Sequence, residues 1–243
     1  MTAAVRVLLV RHATTSQTRR ACFPATTGSR TVDGCEALDA TGLRQAAELG
    51  AHLAADRCWS SRALRALQTA ECAGLQPEPL ADLAEADFGA WAGRTLAQVH
   101  AADPDGLAAW YADPGADPHG GEPLAQVRRR AVGVLGRARR LGGTTVAVTH
   151  GGLIKAALLE ALGMGPDAVW RLEVAPASVT ELHPASDEGW RLVRLNWTPQ
   201  LTRRSGGSVH AGEGRRARED LTGRAGRPGS ERAAGREPGE VAG

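Results

Sequence analysis

Residues 5–12, Val-Arg-Val-Leu-Leu-Val-Arg-His, constrain this chain more than any other stretch. Five of the first six are apolar, and the run stops abruptly at Arg11 and His12. So short and apolar a run predicts a strand buried on both faces of a parallel sheet. Ligands of open α/β sheets bind just beyond the carboxyl ends of such strands, which is where Arg11 and His12 stand. A second run, Thr144–Thr149, ends in His150 and Gly151-Gly152 before a helix predicted over 153–162. A strand, a glycine turn and a helix form a natural anion site, since free backbone N–H groups and the helix dipole face the ligand.

The segments between deliver more charge to the same sheet edge. A polar loop over 13–36 is long for a compact domain and is read as a binding loop. Thr41 is the expected N-cap of the next helix, in which Leu43, Ala46, Ala47, Leu49 and Leu53 keep the helical period. Residues 58–60 read as a second strand end, and Ser60 and Ser61 as its junction with a helix over 62–72 that carries Arg65 in its first turn. Extended chain and turns over 80–93 carry Glu85 and the cluster Phe88-Gly89-Ala90-Trp91. One or two short helices are expected over 95–113, a loop over 113–123 and an amphipathic helix over 122–141 closed by Gly142-Gly143. Residues 177–183 and 190–197 read as two strands antiparallel to each other. The six tryptophans read as core rather than as a stacking platform.

Composition bounds the function. Of 243 residues, 42% are hydrophobic and 23% charged, which fits one soluble domain with a tail. Residues 200–243 hold nine Arg and six acidic groups with few apolar residues, and are expected to be a disordered Gly/Arg/Glu-rich tail to a domain at 1–199. The tail's surplus of three charges leaves −1 on the domain, which argues against a nucleic-acid partner. Cys22, Cys35, Cys58 and Cys72 form no Cys-x-x-Cys pair, so free thiols are expected, with no metal and no cofactor. Without a signal-peptide pattern or a membrane-length apolar run, the expected location is cytoplasmic with no membrane partner. The oligomeric state stays open, a homodimer included.

Two arginines and two histidines converging on one sheet edge suit a phosphate group, which Arg forks grip in bidentate fashion. An imidazole there can attack phosphorus, fixed cations can hold the equatorial oxygens, and a carboxyl group such as Glu85 can protonate the leaving oxygen.

Five ordered blocks resemble the histidine phosphatase superfamily, the phosphoglycerate-mutase-like proteins. Val10-Arg11-His12-Ala13-Thr14-Thr15 is similar to its Arg-His-Gly signature. Residues 38–46 are similar to its Leu-Thr-x-x-Gly-x-x-Gln-Ala helix start, and Ser60-Ser61 through Ala70 to its Ser-Ser…Arg-Ala-x-Gln-Thr-Ala block. Leu83-Ala84-Glu85 with residues 88–93 resembles its acid-bearing turn, and residues 148–152 its second-histidine turn. The resemblance implies a three-layer α/β/α sandwich around a mostly parallel sheet. It implies His12 as nucleophile, Arg11, Arg65 and His150 as phosphate pocket, Glu85 as proton donor, and Thr18 and Gly151 as substrate-binding positions. Two departures stand out: Ala13 replaces the signature glycine, where its methyl is expected to crowd the pocket slightly, and Thr18 stands where relatives carry an Asn. Gly120-Gly121-Glu122 resembles the phosphatase branch, including α-ribazole and sugar phosphatases, and the short span from Trp91 to His150 lacks the insertions of true mutases. The expected activity is therefore metal-independent hydrolysis of a small-molecule phosphate ester. A mutase-like phosphotransferase and a silent phospho-ligand binding module are the alternatives.

Overall fold

Val7 and Leu9 point to one side of the first strand and Leu8 and Val10 to the other, and all four are buried. This two-sided burial generates the three layers of the fold. The computed structural model describes residues 4–24, 36–185 and 189–199. In chain order the elements are β1 (Arg6–Arg11), α1 (Ser16–Arg19), α2 (Ala40–Gly50), β2 (Arg57–Ser60), α3 (Leu64–Cys72), β3 (Pro77–Pro79), α4 (Leu96–Ala102), α5 (Pro104–Ala112), α6 (Leu124–Leu141), β4 (Thr144–Thr149), α7 (Gly151–Ala161), β5 (Val179–Pro184) and β6 (Trp190–Trp197).

The sheet order is β3-β2-β4-β1-β5-β6. Pairing is parallel from β3 through β1 and antiparallel for β1–β5 and β5–β6, so the sheet is mostly parallel. On one face, Leu8, Val10, Val146 and Val148 pack with Ala46 and Leu49 of α2 and Ala66 and Ala70 of α3. On the other, Val7, Leu9, Trp59 and Ala147 pack with Val127, Val134 and Leu135 of α6 and Leu153, Ile154 and Leu158 of α7. At about 25 cal/mol per Å² of buried apolar surface, these two layers are the main source of the fold's stability.

Several boundaries differ from expectation. Asp39, not Thr41, caps α2: its Oδ1 accepts from the Thr41 and Gly42 N–H groups at 2.9 and 2.8 Å. A carboxylate also complements the positive helix end. The short strand β3 went unpredicted because prolines occupy both its ends, a composition tolerated at a sheet edge. α3 starts at Leu64 because Ser61 Oγ accepts from the Ala63 N–H at 3.3 Å and holds the preceding turn. α7 starts two residues earlier than expected, with His150 as N-cap. Short 3₁₀ turns at Ala81–Leu83, Gly89–Trp91 and Pro166–Arg171 were also not anticipated. The expected tail at 200–243 and residues 25–35 of the polar loop, Cys35 among them, lie outside the described residues. Among the described residues no helix is long and apolar enough to cross a membrane.

Candidate active site

The carboxyl ends of β1 and β4 are neighbours, in register from Arg6↔Thr144 to Arg11↔Thr149. The residues after each strand therefore emerge side by side, and the His12 and His150 rings meet edge to face with centroids 5.1 Å apart. Both are almost fully buried. His12, Arg11, Arg65, Glu85, Thr18 and Gly151 line a pocket of about 470 Å³, whereas His150 is not among its lining and lies behind it, against His12 and Arg65.

Hydrogen bonding fixes the tautomers. His12 Nδ1 lies 2.8 Å from the Ala13 carbonyl, which can only accept, so Nδ1 carries the proton and Nε2 keeps its lone pair. His150 Nδ1 lies 3.2 Å from Arg65 Nη2, which can only donate, so this nitrogen accepts and Nε2–H donates to Ser61 Oγ at 2.9 Å. Burial, reinforced by the Arg65 and Arg11 charges, holds His12 well below the usual histidine range. Burial and the same arginines, with His12 itself, do so for His150. Both rings are therefore neutral at pH 7.

The arginines are held but not saturated. Arg11 Nη1 donates to the Val174 carbonyl at 2.5 Å, while its buried Nε has no partner among the described residues. Arg65 Nη1 reaches Glu36 Oε1 at 3.4 Å. Burial pulls both guanidinium pKa values down and Glu85 opposes it. A buried donor left without a partner costs free energy.

Glu85 Oε1 accepts from the Ala86 N–H at 3.0 Å and Oε2 from the Gly152 N–H at 3.2 Å. Its turn is braced from behind. Arg130 pairs with Glu122 through Nε at 2.8 Å and Nη2 at 2.6 Å, and its Nη1 donates to the Asp82 and Ala84 carbonyls at 2.8 and 2.9 Å. The Glu122 N–H closes the brace on the Asp87 carbonyl at 2.8 Å.

The remaining blocks act on the loop after His12. Thr69 Oγ1 accepts from the Ala13 N–H at 3.0 Å, and Gln45 Oε1 accepts from the Thr14 N–H at 3.1 Å and hydroxyl at 2.7 Å. Gly42 lets α2 approach that loop, because a Cβ there would sit 2.1 Å from the Thr14 carbonyl oxygen. Ala13 does not crowd the pocket as expected. It is not among the residues with positive φ, and its fully buried methyl belongs to the core with Leu38 and Ala46. Thr18 lines the pocket, but its hydroxyl is spent on a capping box, 2.9 Å from Thr15 Oγ1. A Cβ on Gly151 would meet Arg11 Nε at an ordinary 3.5 Å, so the sterically required glycine of that turn is Gly152. Sequence reasoning also missed Trp110, Trp170 and Lys155, which line the pocket, and its assignment of the tryptophans to the core holds best for Trp59 and Trp91. Lys155 is the chain's single lysine and falls one helical turn after Gly151.

The sheet is covered by helices on both faces and carries two histidines and two arginines at the carboxyl ends of its strands, an α/β architecture with its candidate site at the strand ends. Residues 7–198 match the histidine phosphatase superfamily (branch 1), and the chain belongs to that superfamily. A stretch of 118 residues is 36% identical to the bifunctional protein Rv2228c of Mycobacterium tuberculosis, covering 46% of this chain and 32% of that protein. The chain thus matches only about a third of that relative's length. The mycobacterial glucosyl-3-phosphoglycerate phosphatase is 28% identical with a TM-score of 0.68, covering 80% of this chain and 100% of that one. A phosphoserine phosphatase of Entamoeba histolytica shares the fold at 22% identity and a TM-score of 0.70, over 81% of this chain and 98% of that one.

Proposed function

We propose that the chain is a phosphomonoesterase that works through a phosphohistidine at His12 and needs no metal. The observation that carries this reading is the tautomer of His12. With Nδ1–H donated to the Ala13 carbonyl, Nε2 keeps a free lone pair on a ring that lines the pocket together with Arg11 and Arg65.

Nε2 attacks phosphorus as the ester P–O bond breaks, and Glu85 hands its proton to the departing oxygen. Arg11 and Arg65 hold the equatorial oxygens through the transition state. His150 holds Arg65 in place for this, its Nδ1 accepting from Arg65 Nη2. Water then attacks the phosphohistidine while Glu85 takes up its proton, which frees phosphate and restores His12. Likeness to a sugar-phosphoglycerate phosphatase favours hydrolysis of a small phosphorylated metabolite, with sugar phosphates and α-ribazole phosphate as candidates.

The test is hydrolysis of p-nitrophenyl phosphate with and without EDTA, together with mass spectrometry of alkali-quenched enzyme. The expected result is EDTA-resistant turnover, label on His12 and none with His12→Ala. Full rate in His12→Ala would remove the nucleophile. Interconversion of 2- and 3-phosphoglycerate without free phosphate would reassign the chain as a mutase.

A further inference from the structure

The pocket is far larger than a phosphate group, and what lines it beyond the cradle is mostly apolar. About 470 Å³ lies within the range of roughly 300–1,000 Å³ that holds drug-sized ligands. Phe88, Trp110, Pro114, Val169, Trp170 and Leu172 are among its lining. Trp110 of α5 and Trp170 of the 3₁₀ turn Pro166–Arg171 meet edge to face with centroids 4.5 Å apart, and Trp110 meets Phe88 at 6.1 Å. None of these three rings is fully buried, so each keeps a surface that a ligand can cover.

This wall is built on the same segments as the cradle. Phe88 follows Glu85 by three residues, and Trp170 precedes by four the Val174 whose carbonyl holds Arg11. A phosphate seated on Arg11 and Arg65 therefore directs the rest of its ester toward the rings. A short polar alcohol would leave the indoles wet, whereas a flat aromatic or bulky apolar group would displace that water and stack on them.

We propose that the substrate is a phosphomonoester whose alcohol carries an aromatic or extended apolar body, which lies against the wall formed by Trp110, Trp170 and Phe88. This rests on the phosphatase reading above but is tested apart from it, with phosphonates that cannot be hydrolysed. Calorimetric affinities of 2-naphthylethyl phosphonate and ethylphosphonate are compared on the full chain. The naphthyl compound is expected to bind at least about tenfold more tightly. That ratio should fall toward one in Trp110→Ala and Trp170→Ala and be kept in Trp110→Phe. Should a variant not fold, ¹⁹F spectra of 5-fluorotryptophan-labelled wild-type protein still decide, since the naphthyl compound must shift two tryptophan resonances that ethylphosphonate leaves in place. Equal affinities, failure of both to bind, or a ratio indifferent to both alanine variants overturns the proposal. Absence of ester hydrolysis alongside a large ratio overturns the phosphatase reading alone.

Discussion

Gly152 and Glu85 fit together with no room for a side chain: a Cβ at position 152 would lie 2.3 Å from Glu85 Oε1, while the Gly152 N–H donates to Oε2. The carboxyl group thus rests on the first turn of α7, the helix that begins directly after His150. Gly152→Ala must push Glu85 off this seat. We expect kcat on alkyl phosphates to fall by about 10²–10³, the range of a lost general acid. The loss should be much smaller on p-nitrophenyl phosphate, whose leaving group needs no proton. A uniform loss on both esters would mean that the substitution disturbs the cradle instead.

Arg130 touches no pocket residue's reacting atoms, yet it ties the Asp82 and Ala84 carbonyls to Glu122. It positions the turn that carries Glu85. Arg130→Gln keeps a donor but loses the bidentate pair with Glu122 and the fork across two carbonyls. The expected signature is a several-fold drop in kcat on alkyl phosphates with little change in KM. Leaving-group sensitivity should match that of Gly152→Ala, and Arg130→Lys should restore part of the rate. Equal losses on p-nitrophenyl and alkyl phosphates would leave Arg130 a purely structural brace.

His12 and His150 make stability depend on pH. Their folded pKa values lie well below the usual value of about 6.5 that the unfolded chain regains. Between those values the unfolded state binds more protons, so stability rises with pH there and is lost as pH falls below about 6.5. Each neutral ring should contribute a slope of up to about 1.4 kcal/mol per pH unit in that window. Thermal melts from pH 7.5 to 5 should show the decline, flattened in His12→Gln and His150→Gln. Inorganic phosphate should reduce the decline, because an anion in the cradle favours the protonated His150. An unchanged slope in both variants would place the acid sensitivity elsewhere.

Composition alone sets residues 200–243 apart, with their nine arginines, six acids and few apolar groups. We propose the domain as residues 1–199. A chain ending at Gln200 is expected to keep the wild-type melting temperature and turnover, read by calorimetry and phosphate release. A drop of several degrees would extend the domain into the tail.

How much of this was legible in the sequence depends on what each residue needs. Buried strands advertise themselves, because a run such as Val7-Leu8-Leu9-Val10 fits only a sheet covered on both faces. Arg11, His12 and His150 then follow from strand ends, with no knowledge of side-chain packing. Helix starts were less legible: Asp39 and Thr41 are both good caps, and the close approach of Gly42 to Thr14 depends on tertiary packing. The brace from Arg130 to Glu122 and the carbonyls of Asp82 and Ala84 was invisible, since it joins segments up to 48 residues apart. Trp110 and Trp170 were only half legible for a related reason: both pack against core residues, and both also line the pocket. A tryptophan in sequence does not show whether its second face meets core or cavity.

Thr69 carries the last prediction. Its hydroxyl accepts from the buried Ala13 N–H at 3.0 Å and donates to the Arg65 carbonyl at 2.6 Å, so one oxygen joins the residue after the proposed nucleophile to the helix bearing a cradle arginine. Thr69→Val keeps the shape and removes that oxygen. The Ala13 N–H is then left buried without a partner, at about 1–3 kcal/mol. Thr69→Ser retains the link and should lose much less. Because the Ala13 carbonyl also fixes the His12 tautomer, the Val variant should lose kcat in step with stability, measured by denaturant titration and ester hydrolysis. Loss of stability with kcat untouched would show that Gln45, through Thr14, suffices to hold the loop for catalysis.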